Sequence, residues 1–178
     1  RTLDPDDMLG HISRLPKQCR DAWESIQKVS LPDVCRQAKN IIVLGLGGSA
    51  IGGDLVRTLV QYECALPMII HRDYQLPAFV GPETLAIASS HSGDTEETLT
   101  TAAAALRAGA QVVAVTTGGE LARWAEQNSL PLILFTYPSQ PRAALGHSMI
   151  LTLGILCRAG VVSGKERDLQ EALAVMES

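Results

Sequence analysis

The sequence predicts a doubly wound α/β domain, with a parallel sheet of about five strands, helices on both faces, and helices ahead of it at the N-terminus. Three observations predict it. Short runs rich in Ile, Val and Leu recur from residue 40 onward without alternating with polar residues, as strands covered on both faces require. Stretches with apolar residues at helical spacing separate these runs, giving the strand–helix alternation of a parallel sheet. Two strand-to-helix junctions are dense in Gly and Ser, at 45–53 and 89–95. A strand that turns on glycine into a helix leaves N–H groups pointing out of the helix start, where the helix dipole favours an anion.

The segment through Lys39 is helical in tone, with Leu15, Cys19, Ala22 and Ile26 on one stripe and Pro16 and Pro32 marking helix starts. Strands are then expected at Ile41–Leu46, Pro67–His71, Leu85–Ser89, Gln111–Thr116 and Leu132–Thr136, and helices at Ala50–Tyr62, Thr95–Ala108 and Glu120–Asn128. A long apolar helix, Pro141–Ala159, follows. A break at Gly160–Gly164 then leads into a polar helix, Lys165–Glu177. Leu145, Met149, Ile150, Leu153, Leu156 and Cys157 form an apolar surface wider than one stripe, so one face should cover the sheet while the other meets a second domain or subunit.

At 178 residues, 46% hydrophobic and 19% charged, the chain suits one well-covered soluble domain. A net charge of −4 argues against nucleic acid or an anionic membrane as partner. Cys19, Cys35, Cys64 and Cys157 are scattered without a CxxC pair and read as reduced thiols of a cytoplasmic protein. The first twenty residues are too polar for a signal peptide, and Met149–Cys157 is too short to span a bilayer. The start at Arg1 and the stop at Ser178 suggest a piece of a longer protein. The organisation expected is an N-terminal helical segment (1–39), a ligand-binding α/β domain (40–160) and a C-terminal helix (161–178) leading toward a further domain.

The first Gly-rich loop admits several readings. Gly45, Gly47 and Ala50 match a dinucleotide fingerprint with Ala at its third position, but Arg72 and Pro77 make Asp73 a poor candidate for the acidic ribose ligand. A P-loop fails because Asp54 stands where its Lys belongs. A tight turn without a ligand stays open, as does a phosphate site in which Ser49 offers its hydroxyl between glycines. In the second loop, Asp94 and Glu97 read as a capping box for a helix beginning at Thr95. That leaves Ser90, Ser92 and Thr95 unexplained, and with Gly93 between them their hydroxyls can converge on a phosphate monoester. Neither loop carries Lys or Arg, which suits one dianionic phosphate better than a polyphosphate.

The third element is Ser139–Ala144. Pro141 fits a first helical position and puts Arg142 in the first turn, against the preference of the dipole for acids. Either an ion pair with a carboxylate explains it, or the guanidinium serves developing charge on a ligand oxygen. His11, His71, His91 and His147 show no metal spacing, and His147 reads as a satisfied interior group.

Taken together, 45–54 (GLGGSAIGGD), 90–98 (SHSGDTEET) and 140–144 (QPRAA) resemble the sugar isomerase (SIS) domain, and more narrowly the first half of the bifunctional phosphoglucose/phosphomannose isomerases. The resemblance covers roughly Asn40 to Gly160. It implies an αβα sandwich in a dimeric enzyme with two such domains per chain that interconverts aldose and ketose 6-phosphates. Gly47, Gly48 and Ser49 would line the sugar site, Ser90, Ser92 and Thr95 would hold the phosphate, and Arg142 would stabilise the enediolate. A hexose 6-phosphate is the implied ligand, with no cofactor and no metal. Homodimerisation is implied through the second domain or the Ala144–Cys157 helix. The family more often has an aromatic residue at His91 and Asn at Asp94. Its glutamate base, ring-opening histidine and lysine belong to the second domain, so Glu166 and Glu171 read as solvated helix charges. Two rivals are a sugar-phosphate sensor without chemistry and, more remotely, a nucleotide-dependent dehydrogenase that NAD titration would reveal.

Overall fold

The computed structural model describes residues 3–178; Arg1 and Thr2, the start of the helical N-terminal segment, lie outside the described residues. Strands β1 (Asn40–Leu44), β2 (Met68–His71), β3 (Thr84–Ser90), β4 (Gln111–Thr116) and β5 (Leu132–Leu134) form one parallel sheet in the order β2-β1-β3-β4-β5. Each expected strand is present, and β4 has the expected bounds. β1 and β5 stop two residues short of theirs, because their last residues already belong to the loops.

Helix α3 (Gly47–Val60) follows β1, α4 (Glu96–Arg107) follows β3 and α5 (Gly119–Gln127) follows β4. Parallel crossovers are right-handed, so reversing the direction of travel across the sheet at β1 puts α3 on one face and α4 and α5 on the other. The side chains divide accordingly. Ile41, Val43, Leu85, Ile87, Val113 and Val115 pack in one buried cluster, and Ile42, Leu44, Ala86, Ala88, Val112 and Ala114 in another. Strands buried on both faces need no polar alternation, which is the pattern the sequence carries.

The first cluster also holds α2 (Leu15–Gln27) and α6 (Leu145–Arg158). The long helix expected at Pro141–Ala159 is divided: Pro141–Ala144 is a 3-10 turn, and α6 begins at Leu145. Gln18 of α2 causes the division, since its side-chain amide accepts the Gly146 N–H and donates to the Ala143 carbonyl, taking both from a continuous helical ladder. The second apolar face of α6 is not free for a subunit. It is covered by α2 and α3, with Ile26 seated where a Cβ on Gly154 would stand and Gly52 of α3 against Ser148. The exposed apolar stripe lies instead on α3, where Ile51, Leu55 and Leu59 recur at helical spacing.

A short helix, α1 (Met8–Ser13), precedes α2, and α7 (Lys165–Met176) closes the described chain. Lys165, almost wholly buried, pairs with Glu63 at 2.7 Å and Asp168 at 3.1 Å and fastens α7 to the segment after α3. Glu166 and Glu171 are exposed, and Glu171 pairs with Arg167. No helix among the described residues is long and apolar enough to cross a membrane.

Candidate functional site

The two Gly/Ser loops leave the C-terminal ends of β1 and β3, neighbours in the sheet whose helices go to opposite faces. Such a switch point opens a crevice between two helix N-termini, the usual ligand position in doubly wound sheets. Leu46 and Thr95 are the N-cap residues of α3 and α4, and neither side chain caps its helix. First-turn N–H groups left without a side-chain acceptor are donors available to an anion. Helix α3 begins at Gly47, three residues before the expected Ala50, so Ser49 sits in its first turn.

Ser49 is buried, and its Oγ accepts the His91 N–H at 3.1 Å, which ties the first loop to the second. Ser90 and Thr95 bring their hydroxyls to 2.9 Å, and Ser90 Oγ also accepts the Gly93 N–H. Ser92 is exposed and accepts the Asp94 N–H at 3.2 Å. Each hydroxyl keeps hydrogen-bonding capacity beyond these contacts. The capping box is not formed. Helix α4 starts at Glu96, and Asp94 Oδ1 accepts the Glu120 N–H at 2.9 Å, serving the first turn of α5 instead. The β4–α5 turn causes this exchange by lying against the second loop, where Thr117 donates to the His91 carbonyl through both its N–H and its Oγ1. Gly93, at φ +80°, abuts the Gly118 carbonyl so closely that no Cβ fits between them.

The third motif meets the first. A Cβ on Gly48 would stand 2.6 Å from the Pro141 carbonyl carbon and 2.7 Å from the Arg142 nitrogen, so the missing side chain admits the Pro141–Arg142 peptide. Gly47, in contrast, is exposed, with open space where its Cβ would be. Arg142 is exposed. Among the described residues it forms no ion pair or hydrogen bond, so no carboxylate explains its place in a first turn. Arg142 lines a pocket together with Met8, Ile12, Leu15 and Gln18. The three motifs therefore converge at the level of the backbone: loop to loop through Ser49, and loop to turn through Gly48.

Sequence reasoning missed the aromatic and histidine cluster behind the site. Phe135 stacks on His147 at 5.0 Å between ring centroids and meets the edge of His91 at 5.7 Å, while Tyr137 tilts against His147 at 5.1 Å. A small cavity among Ser49, Ser89, His91, Phe135 and Ser148 marks where the cluster touches the loops. His147 is buried as expected but not satisfied, since among the described residues its Nδ1 has no hydrogen-bond partner, and His91 Nε2 is likewise buried without one. The flat face of Phe135 offers His147 stacking where an interior histidine would usually find an acceptor. The strand expected at Leu132–Thr136 concealed this, because β5 ends at Leu134 and leaves Phe135 in the loop facing His147.

Burial pushes both histidines below their ordinary pKa of 6.5. The folded state thus favours neutral rings, and the unfolded chain binds more protons once the pH drops below 6.5. Stability is expected to fall as pH falls from 6.5 toward the depressed native values. Urea unfolding at about pH 7.5 and about pH 5.5 would measure this. His147→Phe should narrow the difference, and an unchanged gap would remove His147 from the account. Burial likewise raises the Cys19, Cys35 and Cys157 thiols, Cys19 to about 11, which disfavours their reactive thiolate forms.

No protein-family model matches the chain. It is 40% identical over 169 residues, 95% of its length, to a bifunctional phosphoglucose/phosphomannose isomerase of Caldicellulosiruptor bescii, of which it covers 50%. It is 36% identical over 137 residues to the enzyme of the same name from Thermoplasma acidophilum, covering 77% of this chain and 40% of that protein. The chain spans about half the length of the curated relatives it matches. Among solved structures, a provisionally assigned phosphosugar isomerase from Clostridium difficile 630 superposes with a TM-score of 0.73 at 16% identity, over 96% of this chain and 52% of that one. The Vibrio vulnificus NanR protein complexed with ManNAc-6P does so with a TM-score of 0.59 at 18% identity, over 92% of this chain and 66% of that one. Motifs, fold and relatives agree: over nearly its whole length the chain is homologous to bifunctional phosphoglucose/phosphomannose isomerases, and its fold is that of solved phosphosugar isomerases.

Proposed function

We propose that this chain is the sugar-phosphate-binding domain of an aldose–ketose isomerase that interconverts glucose 6-phosphate or mannose 6-phosphate with fructose 6-phosphate through an enediolate. The meeting of the three motifs at the β1/β3 switch point carries this reading. A phosphate monoester suits two uncapped helix starts and the hydroxyls of Ser90, Ser92 and Thr95, with Gly47, Gly48 and Ser49 beside the sugar. Arg142 is the cation of the third motif, available for charge that develops at C1–C2. The reaction also needs a base to carry a proton between C1 and C2 and an acid/base pair to open the ring. In this reading those groups belong to a second SIS domain outside the chain, in a cytoplasmic homodimer. A strict monomer in light scattering of the full-length protein at high concentration would remove the dimer.

Calorimetry tests the binding half. Fructose 6-phosphate should bind and ATP should not, because the loops carry no cation to neutralise a polyphosphate. Ser92→Ala should weaken fructose 6-phosphate binding by about 1–2 kcal/mol through the loss of one charge-assisted bond. Tight ATP binding would end the proposal. A second reading, a sugar-phosphate-sensing module without chemistry, is favoured by the likeness to NanR in its complex with ManNAc-6P. The full-length reading frame separates the two: a second SIS domain supports the enzyme, a DNA-binding segment the sensor.

A further inference from the structure

We infer that Gln18, on α2 and outside all three motifs, is the positioning residue for Arg142. Leu15, Cys19 and Ala22 make the apolar stripe of α2, and Gln18 sits within it at 2% exposure. A primary amide so placed is costly unless its hydrogen bonds are made. They are made to the segment that carries Arg142, on both sides of it. Gln18 Nε2 donates to the Tyr137 hydroxyl at 3.0 Å and the Ala143 carbonyl at 2.9 Å, while Oε1 accepts the Gly146 N–H at 3.1 Å.

Beside these, the turn region has one further side-chain bond to another element, Gln140 Nε2 donating to Asp6 at 2.9 Å, and that contact is exposed. Between β5 and α6 the regular structure is the 3-10 turn Pro141–Ala144, and such turns are short and weakly bonded. Gly48 meets the turn by van der Waals contact, which resists approach but gives no direction. Gln18 supplies the buried directional bonds. Gly146 lets the start of α6 close onto Gln18, since a Cβ there would lie 2.6 Å from the Gln18 Cβ. The tether continues to α1, where the Tyr137 hydroxyl lies 2.7 Å from His11 Nδ1. Arg142 has no hydrogen bond of its own among the described residues, so the position of its main chain decides where its guanidinium can reach.

The inference rests on the reading that Arg142 stabilises the enediolate, and the experiment keeps the two apart. In the full-length enzyme carrying this chain, Gln18→Leu keeps the volume and removes the bonds. It should lower kcat about tenfold or more with KM within about twofold, because small misplacements of a catalytic group cost rate rather than binding. Added to Arg142→Ala, Gln18→Leu should cause no further loss of kcat, whereas a merely structural role would multiply the two losses. Tyr137→Phe removes only one hydroxyl of the tether and should act in the same direction with smaller effect, which preserves the test if Gln18→Leu does not fold. Multiplicative losses, or a raised KM at constant kcat, would overturn the inference. If Arg142→Ala itself leaves kcat unchanged, the enediolate assignment fails and the tether is judged by hydrogen exchange at Ala143 and Gly146. Faster exchange in Gln18→Leu supports it, and unchanged protection sinks it.

Discussion

If the proposed reading holds, Arg142→Ala in the full-length protein is expected to lower kcat about 10²–10³-fold, the usual cost of losing one stabiliser of a developing oxyanion. Substrate binding should weaken far less. The phosphate is dianionic in the free, bound and reacting states alike, whereas enediolate charge exists only near the transition state, so the two demands fall on different residues. The variant is a clean probe because Arg142 is exposed and bonds to no described residue, so its truncation should change stability by less than about 0.5 kcal/mol. A raised KM at unchanged kcat would make Arg142 a ground-state binder instead. On the proposed reading, which puts the base and ring-opening groups in a second domain, the chain alone should not isomerise glucose 6-phosphate, and robust turnover by it would overturn the division of labour.

Gly93→Ala is expected to destabilise the protein by about 2–4 kcal/mol and abolish hexose-phosphate binding, as read by urea unfolding and calorimetry. Two costs combine at this site. The backbone at φ +80° disfavours any side chain, and the added methyl would meet the Gly118 carbonyl, with Thr116 Oγ1 also only 2.9 Å away. The methyl would meet backbone, so relief requires prising the second loop from the β4–α5 turn that buttresses it. Gly164→Ala is the control. Gly164 has nearly the same φ, +73°, with nothing near its missing Cβ, so only the conformational cost of about 1–2 kcal/mol applies. Equal effects of the two substitutions would show that the close approach at Gly93 is unimportant.

The sheet was legible because strands buried on both faces advertise themselves as unbroken runs such as Ile41–Leu44, and because Gly and Ser punctuate their ends. The loops of the site were legible for the same reason, being local in sequence. What escaped were contacts between segments distant in the chain. Asp94 and Glu97 satisfy a local capping rule, yet the Glu120 N–H, brought up by the β4–α5 turn, competes successfully for the Asp94 carboxylate. Gly48 reads as a loop glycine beside a ligand, and its missing side chain also admits the Pro141–Arg142 peptide, a contact that spacing does not announce. The second face of α6 reads as an interface, and α2 and α3 already occupy it. Gln18 did leave a trace, a polar amide on the apolar stripe of α2, but its partners at Tyr137, Ala143 and Gly146 cannot be inferred from spacing.

The pairing of β1 with β3 has a kinetic consequence. Asn40 lies opposite Thr84, with all of α3 and β2 between them in the chain. Closing so long a loop must precede any return from the contacts it allows, which makes this pair a late event in folding. Both Gly/Ser loops hang from its C-terminal end, so Ser49 and His91 cannot meet until the middle of the sheet has zipped. The cradle formed by the two loops is then absent from partly folded forms and is completed only with the centre of the sheet.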